Sequence, residues 1–373
     1  MYDGSHVETL EFRAKSYLQQ SGLLDDPDSL LKLDIPGIVR TVVPERHDLP
    51  ALKEQKSKFG IPGPSRVIVS PTALVGSAVE KVRLNGLQAQ LTPEEAGTVN
   101  LVFSKPSYLF EGGRLRVPTE AKVWSSAWGS LGDPVRSKIE ENARRVGRIE
   151  LSDRPDDPMR GTAFLVAPTV LMTNRHICSE IARKKAPGSW SFNPDTSKLR
   201  IDYAAEINQT HPAEFAITGV IGVHEKVDLA LLRVERTGTV EPPEPLRIRA
   251  KPMAYASERP SYVVGHPARD RRLANAPSGT KKAFLRPLVE AIFRDGYYVK
   301  RLSPGEVTGV SQASLLHNCT TLQGSSGSCL FDAETHEVVG LHYDGDWLDT
   351  NWAVPLWTLA SDPLLRRAGV QFE

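Results

Sequence analysis

The sequence contains few cysteines, no excess of charge of either sign and no long hydrophobic run. Its three cysteines, Cys178, Cys319 and Cys329, are too few for a disulfide framework in a chain of 373 residues. Lys and Arg number 46 and Asp and Glu 45, so no global field attracts nucleic acid or acidic lipid. The longest apolar run, residues 161–174, is too short to cross a bilayer. We therefore expect no nucleic acid and no membrane among the partners.

The first residues, MYDGSHVETLEF, have acidic side chains early and no basic stretch ahead of an apolar segment. A secretory signal peptide has the opposite arrangement, with positive charge followed by an apolar core. On this pattern we expect a soluble, cytoplasmic protein.

Turn-forming residues are abundant. The chain has 28 glycines and 28 prolines, which favour many turns and short strands over a helical bundle. Hydrophobic residues make up 40% of the sequence, enough for a globular core. At roughly 150 residues per domain, the length predicts two to three compact units.

Residues 1–125 combine a helix-like start with proline-rich stretches and short apolar runs. The run around Gly112-Gly113 has the pattern of a β-hairpin. Because the segment contains no recognisable chemical motif, we predict a small α+β or irregular N-terminal domain with a regulatory or targeting role.

Residues 126–147 are predicted to form a linker helix. Asp133-Pro134 has the residue types of a helix N-cap followed by the first helical position. Gly147 is the residue type that commonly follows a helix C-terminus. The helix would connect the N-terminal domain to a segment of different character.

Residues 148–373 show short β-rich runs between turn residues, among them Val170–Thr173, Tyr297–Arg301 and Val338–His342, without alternating helices. Regularly spaced short strands favour antiparallel barrels or a sandwich. Within this segment, residues 266–301 carry nine Lys and Arg against three Asp and Glu. Such a segment can be a polyanion-binding patch, but the few aromatic residues among the charges favour a solvated loop.

Three short motifs carry reactive side chains in the order His, Asp, Ser. His176 ends the motif TNRH after an apolar strand pair, Asp228 begins the apolar run DLALL, and Ser326 is central in GSSGS. Alone, each has an ordinary structural explanation, such as a satisfied polar residue, a turn or a cap. Together, on a β-rich chain and in this order, they indicate one constellation.

With these motifs the sequence resembles the chymotrypsin-like serine peptidases, particularly the bacterial trypsin-like and glutamyl-endopeptidase branch. The resemblance covers roughly residues 145–360 and does not reach the first 125. It implies an all-β peptidase domain over residues 148–373, built as two antiparallel β-barrels. The first barrel would span about 148–240 and the second about 250–360.

The resemblance also implies a mechanism that suits the side chains. His176 would act as the general base, Asp228 would fix the imidazole tautomer, and Ser326 would attack the peptide carbonyl. The backbone N–H groups of Gly324 and Ser326 would bind the oxyanion. This chemistry needs no cofactor and no metal. His176 and Cys178 could suggest metal ligands, but no second cluster accompanies them.

Two positions depart from the family pattern. Ser325 stands before the nucleophile where trypsin-like zymogens have an aspartate that captures a new N-terminus, so that route of activation has no acceptor. Cys329 stands where the family commonly has proline, and a small buried filler is favoured there over a redox switch.

Substrate preference is expected to depend on three further residues. Thr321 and His342 occupy positions that resemble the pair receiving a glutamate side chain in glutamyl endopeptidases, and both can donate to a carboxylate. Asp344 lies where small residues are expected, and a carboxylate facing the pocket would favour Arg or Lys instead. Acidic and basic preference both stay open.

We therefore predict a serine endopeptidase that acts on protein or peptide substrates. One alternative is a peptide-binding scaffold that keeps the fold without turnover. Another is a latent enzyme whose site is blocked by residues 1–125 until a regulatory protein partner binds them.

Overall fold

A computed structural model of the chain describes most residues after 70 and a few before them. The described residues are 11, 14–15, 18–19, 71–99, 107–116, 133–151, 159–186, 188–194, 196, 198–235, 242–253, 259–275, 286, 289, 293, 296–311, 313–345 and 350–373. Most of the predicted N-terminal domain therefore lies outside the described residues.

Two helices and one hairpin precede the linker helix in the described part. They are helix α1 (Pro71–Asn85), a 3-10 turn (Gly86–Gln88), helix α2 (Pro93–Val99) and strands β1 (Tyr108–Glu111) and β2 (Arg114–Leu115). Thr92 and Glu95 form a capping box at α2, because the N–H of each donates to the side chain of the other. The hairpin turn is Gly112-Gly113, as predicted, and both residues have positive φ, which glycine adopts without strain.

The linker helix is shorter than the sequence pattern indicated. Helix α3 covers Asp133–Ala143, and strand β3 (Val146–Leu151) follows almost at once. Gly147 therefore lies in a strand and does not cap the helix. A Cβ atom at Gly147 would collide with the side chain of Ile201, so glycine allows close packing of β3 in the barrel. Among the described helices none is long and apolar enough to span a membrane.

The first barrel is closed and antiparallel. Its members are β3, β4 (Met159–Ala167), β5 (Val170–Thr173), β8 (Leu199–Asp202), β9 (Glu214–Val223) and β10 (Ala230–Glu235). They pair in the order β10-β5-β4-β3-β8-β9. Helix α4 (Arg175–Ile181) and the hairpin of β6 (Ala182–Ala186) and β7 (Ser189–Phe192) come between β5 and β8. Apolar side chains from alternating strand positions, including Ile149, Leu165 and Phe215, fill its interior.

The second barrel closes through pairing of its first two strands. Its strands are β11 (Arg259–Gly265), β12 (Arg301–Val310), β13 (Leu315–His317), β14 (Cys329–Asp332), β15 (Val338–Gly345) and β16 (Asn351–Pro355). They follow the order β11-β14-β15-β16-β13-β12, and β12 pairs again with β11. Helix α5 (Arg271–Ala274) follows β11, while a 3-10 turn (Leu356–Leu359) and helix α6 (Pro363–Arg367) follow β16. The predicted all-β fold with two antiparallel barrels is confirmed.

Strand β1 extends the second barrel from outside. Tyr108 pairs with Leu302 and Leu109 with Arg301 of β12. The N–H of Ile207, in the first barrel's segment, donates to the carbonyl of Phe110 at 3.1 Å. Part of the segment predicted as an N-terminal domain thus contacts both barrels.

One predicted strand differs from the observed fold. The run Tyr297–Arg301 was expected to be extended, but only Arg301 belongs to a strand, and Tyr298 has a φ of +68°. Backbone N–H groups in this run donate to loops instead of a neighbouring strand: Tyr298 to Pro267 and Lys300 to Ala205, both at 2.7 Å.

Candidate active site

His176 lies in the first turn of α4, directly after β5. Asn174 has extended backbone angles and marks the turn from strand into helix. The Nδ1 atom of His176 lies 2.7 Å from Asp228 Oδ2, and the His176 backbone N–H donates to Asp228 Oδ1 at 3.0 Å. These contacts hold His176 by its ring and by its backbone, and leave Nε2 for a nucleophile or substrate.

Asp228 is brought to His176 by the loop before β10. The side-chain amide of Asn174 donates to the Asp228 carbonyl at 2.9 Å, which ties this loop to the start of α4. Burial raises the pKa of the Asp228 carboxyl, but hydrogen bonds and attraction from His176 outweigh burial and hold the pKa below its ordinary value. The carboxylate is therefore ionised at neutral pH.

Ser326 lies in a tight loop between β13 and β14, with Gly327 directly after it and Gly324 two residues before it. Gly324 and Gly327 have φ of +87° and +86°, in the left-handed region. A Cβ atom on Gly324 would lie 2.8 Å from the His266 carbonyl and from the Ala268 Cβ, so no larger residue fits. The small residues of the GSSGS motif are thus required by the loop's backbone and packing.

The loop leaves two N–H groups available. The N–H groups of Ser325, Gly327 and Ser328 donate to protein carbonyls at 3.0 Å. Those of Gly324 and Ser326 donate to no acceptor in the described part of the chain. These are the two N–H groups predicted to bind an oxyanion.

The hydroxyl of Ser326 is oriented toward the carbonyl of Tyr343, to which it donates at 3.4 Å. Among the described residues no hydrogen bond joins it to His176. Both residues line one cavity, and rotation about the Ser326 Cα–Cβ bond redirects the hydroxyl. Nucleophile–base hydrogen bonds are often long or misaligned in unliganded sites.

The cavity at this site has a volume of about 400 Å³. It contains all the sequence-predicted side chains: the His–Asp pair, the serine and the three specificity residues. Its lining residues are His176, Asp228, Arg271, Arg272, Thr321, Leu322, Gln323, Ser326, His342, Tyr343, Asp344 and Gly345.

The three predicted specificity residues differ in what they offer a ligand. Thr321 donates its hydroxyl to Asn351 Oδ1 at 2.6 Å, so that proton is already used. His342 Nδ1 lies 3.1 Å from His317 Nε2. Burial lowers the pKa of His342 to about 3, so its imidazole is neutral at ordinary pH. The Asp344 side chain is 61% exposed and lies 3.6 Å from Arg272.

Sequence reasoning missed two cations at this cavity. Arg271 and Arg272 lie at the start of α5, where Asp270 accepts the N–H of Arg272 at 2.8 Å and so caps the helix. Arg272 Nη1 also donates to the Gly345 carbonyl at 3.4 Å, across the cavity. Both arginines belong to the segment 266–301, for which the sequence favours a solvated loop; Asp270, a residue type common at helix N-caps, is the signal that could have indicated an ordered turn.

The cysteines near the site are buried and unreactive. Cys178 packs in the first barrel's core, and burial raises the pKa of its thiol to about 12. Cys329 is fully buried in β14, and burial raises its pKa as well. The His176 side chain is 43% exposed while Cys178 is buried, so the two do not present one ligand set.

Comparison with known proteins gives one family match. Residues 161–341 match the family described as the trypsin-like peptidase domain. No curated protein matches the chain. Similar solved structures include the Rv3671c protease from M. tuberculosis in its active form, with 18% identity, 63% of this chain and 85% of that chain covered, and a TM-score of 0.39. The serine endoprotease from Yersinia pestis has 14% identity, covers 64% of this chain and 69% of its own, and has a TM-score of 0.41. Deg5 has 15% identity, its match covers 62% of this chain and 94% of Deg5, and the TM-score is 0.41.

Two closed barrels with a histidine–aspartate pair and a glycine-flanked serine on one cavity define a chymotrypsin-like peptidase domain. The family match identifies residues 161–341 as a trypsin-like peptidase domain. The protein is a serine endopeptidase, a hydrolase of peptide bonds.

Proposed function

We propose that this endopeptidase uses His176, Asp228 and Ser326 as its catalytic triad. The observation that carries the proposal is the 2.7 Å contact between His176 and Asp228 on the cavity that Ser326 also lines. Asp228 accepts a hydrogen bond from His176 Nδ1–H, which keeps the ring proton on Nδ1 and leaves Nε2 unprotonated and able to act as a base.

In the first half of the reaction Ser326 Oγ attacks the peptide carbonyl carbon and its proton passes to His176 Nε2. The C–N bond then breaks, and the leaving amine takes that proton from Nε2. The acyl group stays on Oγ. In the second half water attacks the acyl carbon, His176 takes its proton, and the C–Oγ bond breaks as Oγ recovers that proton.

The oxyanion formed in each half is proposed to bind the N–H groups of Gly324 and Ser326. These donors have no acceptor within the described residues, and the positive φ of Gly324 keeps the loop in the conformation that exposes them. Losing one such donor typically costs about 10²–10³-fold in rate.

We also propose that the cavity prefers a substrate with an acidic side chain. Arg271 and Arg272 supply positive charge on its wall. When His317 Nε2 donates to His342 Nδ1, His342 carries its proton on Nε2 and can donate it to a carboxylate. The rival basic preference depends on Asp344, which is exposed and already paired with Arg272.

The proposed N-terminal role is regulation of the peptidase by residues 1–125, with a protein partner as one means of control. Support comes from the hairpin β1–β2, which belongs to this segment and bonds to both barrels. Ser325 adds to this, since it supplies no carboxylate for activation by a new N-terminus.

The test of the triad is Ser326→Ala in the full chain. We expect this variant to lose labelling by a fluorophosphonate probe and all cleavage of a proteome-derived peptide library. Ser179→Ala removes an exposed hydroxyl three residues from His176 and should keep full activity. Cleavage by Ser326→Ala at the parent rate would refute the triad, and an unlabelled, inactive parent would favour the peptide-binding scaffold.

A further inference from the structure

Thr162, a buried residue of β4 in the first barrel, has no role in the reaction described so far. It lies beside the nucleophile loop of the second barrel, and its side chain is fully buried. Its neighbour Gly161 lacks a Cβ that would otherwise lie 3.2 Å from the Ser326 carbonyl. The two barrels are therefore in direct contact behind the loop that carries the nucleophile.

Every polar atom of Thr162 is used at this contact. Its N–H donates to the Ser326 carbonyl at 2.9 Å, and its hydroxyl donates to the Gly324 carbonyl at 2.9 Å. The hydroxyl oxygen accepts the N–H of His266 at 3.2 Å. The carbonyl of Thr162 accepts the hydroxyl of Thr173, three residues before His176, at 2.8 Å.

The bonds from Thr162 to the Gly324 and Ser326 carbonyls hold the same loop that carries the two proposed oxyanion donors. A peptide group is planar, so holding its carbonyl also fixes the N–H on its other side. Ala268 holds the Gln323 carbonyl, whose peptide group contains the Gly324 N–H. Thr162 holds the carbonyl of the following peptide group. With both neighbouring peptide planes anchored, the φ of Gly324 stays at +87° and its N–H keeps one direction.

Glycine is the residue that most needs such an anchor. It adopts positive and negative φ about equally, so the Gln323–Gly324 peptide can turn over at little intrinsic cost. A turned peptide would present a carbonyl oxygen to the oxyanion in place of an N–H. The buried hydroxyl of Thr162 opposes this because its release would leave the Gly324 carbonyl and the His266 N–H without their partner.

We propose that Thr162 is a positioning residue: its hydroxyl locks the oxyanion loop to the first barrel and so keeps the Gly324 N–H aimed at the reacting carbonyl. The inference rests on the proposed function, since it assumes that Gly324 binds the oxyanion. Thr162 itself touches neither substrate nor nucleophile side chain. Its effect is expected on the transition state and not on binding of the substrate's ground state.

The experiment compares Thr162→Val with Thr162→Ser in the full chain. Valine keeps the shape and branching of threonine without the hydroxyl, and serine keeps the hydroxyl without the methyl group. For Thr162→Val we expect kcat to fall about 10- to 100-fold, less than for loss of a donor, while KM stays within about threefold. Affinity for a peptide boronate, which forms the tetrahedral adduct, should fall by the same factor as kcat. Thr162→Ser should stay within about threefold of the parent.

A matched control removes another buried threonine hydroxyl of the peptidase domain. Thr196 is 3% exposed and donates its hydroxyl to the carbonyls of Asn193 at 2.7 Å and Ile181 at 3.3 Å, and in the described part of the chain it has no hydrogen bond to the nucleophile loop. Thr196→Val should keep kcat and boronate affinity even if its melting temperature falls. A role of Thr162 in stability alone would make Thr162→Val resemble this control.

Three results would overturn the proposal. They are an unchanged kcat in Thr162→Val, an equal loss in Thr162→Ser, and a rise in KM without loss of kcat. If the valine variant does not fold, Thr162→Ala against Thr162→Ser decides by the same criteria, since alanine leaves room for a water molecule. A parent labelled at Ser326 together with a fully active valine variant would refute this inference and leave the proposed function intact. An unlabelled parent would refute both.

Discussion

At the scale of single residues, the proposed acidic preference depends on the charges around the cavity. His342 is neutral because burial lowers its pKa to about 3, so it offers a hydrogen bond and no charge. Among the described lining residues, the charged groups facing a ligand are then Arg271, Arg272 and Asp344, since Asp228 is engaged with His176. Arg272 is partly neutralised by Asp344 and by Asp270. An acidic substrate side chain would replace Asp344 as the partner of Arg272.

Two opposite substitutions test this electrostatic balance. Arg272→Gln should lower kcat/KM for glutamyl peptides about 3- to 10-fold, because an exposed cation contributes modestly. Asp344→Asn should raise kcat/KM for the same peptides by removing the competing carboxylate. Both effects should shrink at high salt.

Arg183→Gln is the control, since it removes an exposed cation of the β6 strand that does not line the cavity. Its kcat/KM ratio between glutamyl and neutral peptides should equal that of the parent. The acidic preference would be contradicted if Asp344→Asn abolished cleavage after Arg or Lys while glutamyl peptides stayed uncleaved by every variant.

The residue types of the site could be predicted from sequence, but some of their contacts could not. His176, Asp228 and Ser326 belong to motifs whose order is informative without coordinates. Arg272 was not predictable as a cavity residue, because its position depends on how the segment after β11 turns back toward Gly345. Thr162 gave no signal, since a threonine in a strand is ordinary and its bonds are to residues 162 and 164 positions later.

At the scale of elements, the hairpin β1–β2 is fixed to helix α3 by one buried acid. Glu140 accepts the N–H of Leu115 at 2.9 Å and hydrogen bonds from Arg114 and Arg136. Burial raises the pKa of this carboxyl, but the hydrogen bonds from Leu115, Arg136 and Arg114 outweigh burial and lower it. The carboxylate therefore stabilises the hairpin while it is ionised.

Glu140→Gln should destabilise the chain by about 1–3 kcal/mol, the usual cost when a buried charge-assisted network loses its acceptor. Because the folded pKa is lowered, the stabilisation is present above the ordinary pKa of Glu and is lost as pH falls through the folded value. Denaturant unfolding at pH 7 and at pH 4 measures both effects. Glu141→Gln changes a 45% exposed acid on the same helix and should cost less; equal losses would refute the special role of Glu140.

Strands were predicted correctly where the local sequence pattern determines them, and wrongly where contacts with residues distant in sequence determine the backbone conformation. The runs that became β5 and β15 are mostly apolar, and their strands start where predicted. The run Tyr297–Arg301 has strand-forming residues, yet its N–H groups bond to Pro267 and Ala205, which lie far away in sequence. Gly147 looked like a helix cap, because its packing against Ile201 is not visible in the local sequence.

At the scale of the whole molecule, polar contacts join the two barrels behind the cleft. Arg148 of β3 donates to the Tyr298 carbonyl, and the fully buried Lys300 donates to the Tyr203 carbonyl, both at 2.6 Å. Buried charges are costly to leave unpaired, so these contacts strongly favour one relative placement of the barrels. The role of Arg148 is therefore to connect strand β3 of the first barrel to the segment before β12 of the second barrel.

Shortened chains should separate structural from regulatory effects of the N-terminal segment. A chain beginning at residue 107 keeps β1, whereas one beginning at 133 loses it. We expect the second to melt several degrees lower, since it lacks the pairing with Leu302 and the bond from Ile207. If residues before 107 restrain the enzyme, the first should cleave peptides faster than the full chain. Equal rates for these two would remove the case for regulation by that segment.

The attachment of β1 to both barrels also provides a path along which force on the chain could be transmitted. Tension on the chain upstream of residue 107 would be borne on one side by Leu302 of the second barrel and on the other by Ile207 of the first. A load applied there would thus reach both barrels at once, far from any reacting group.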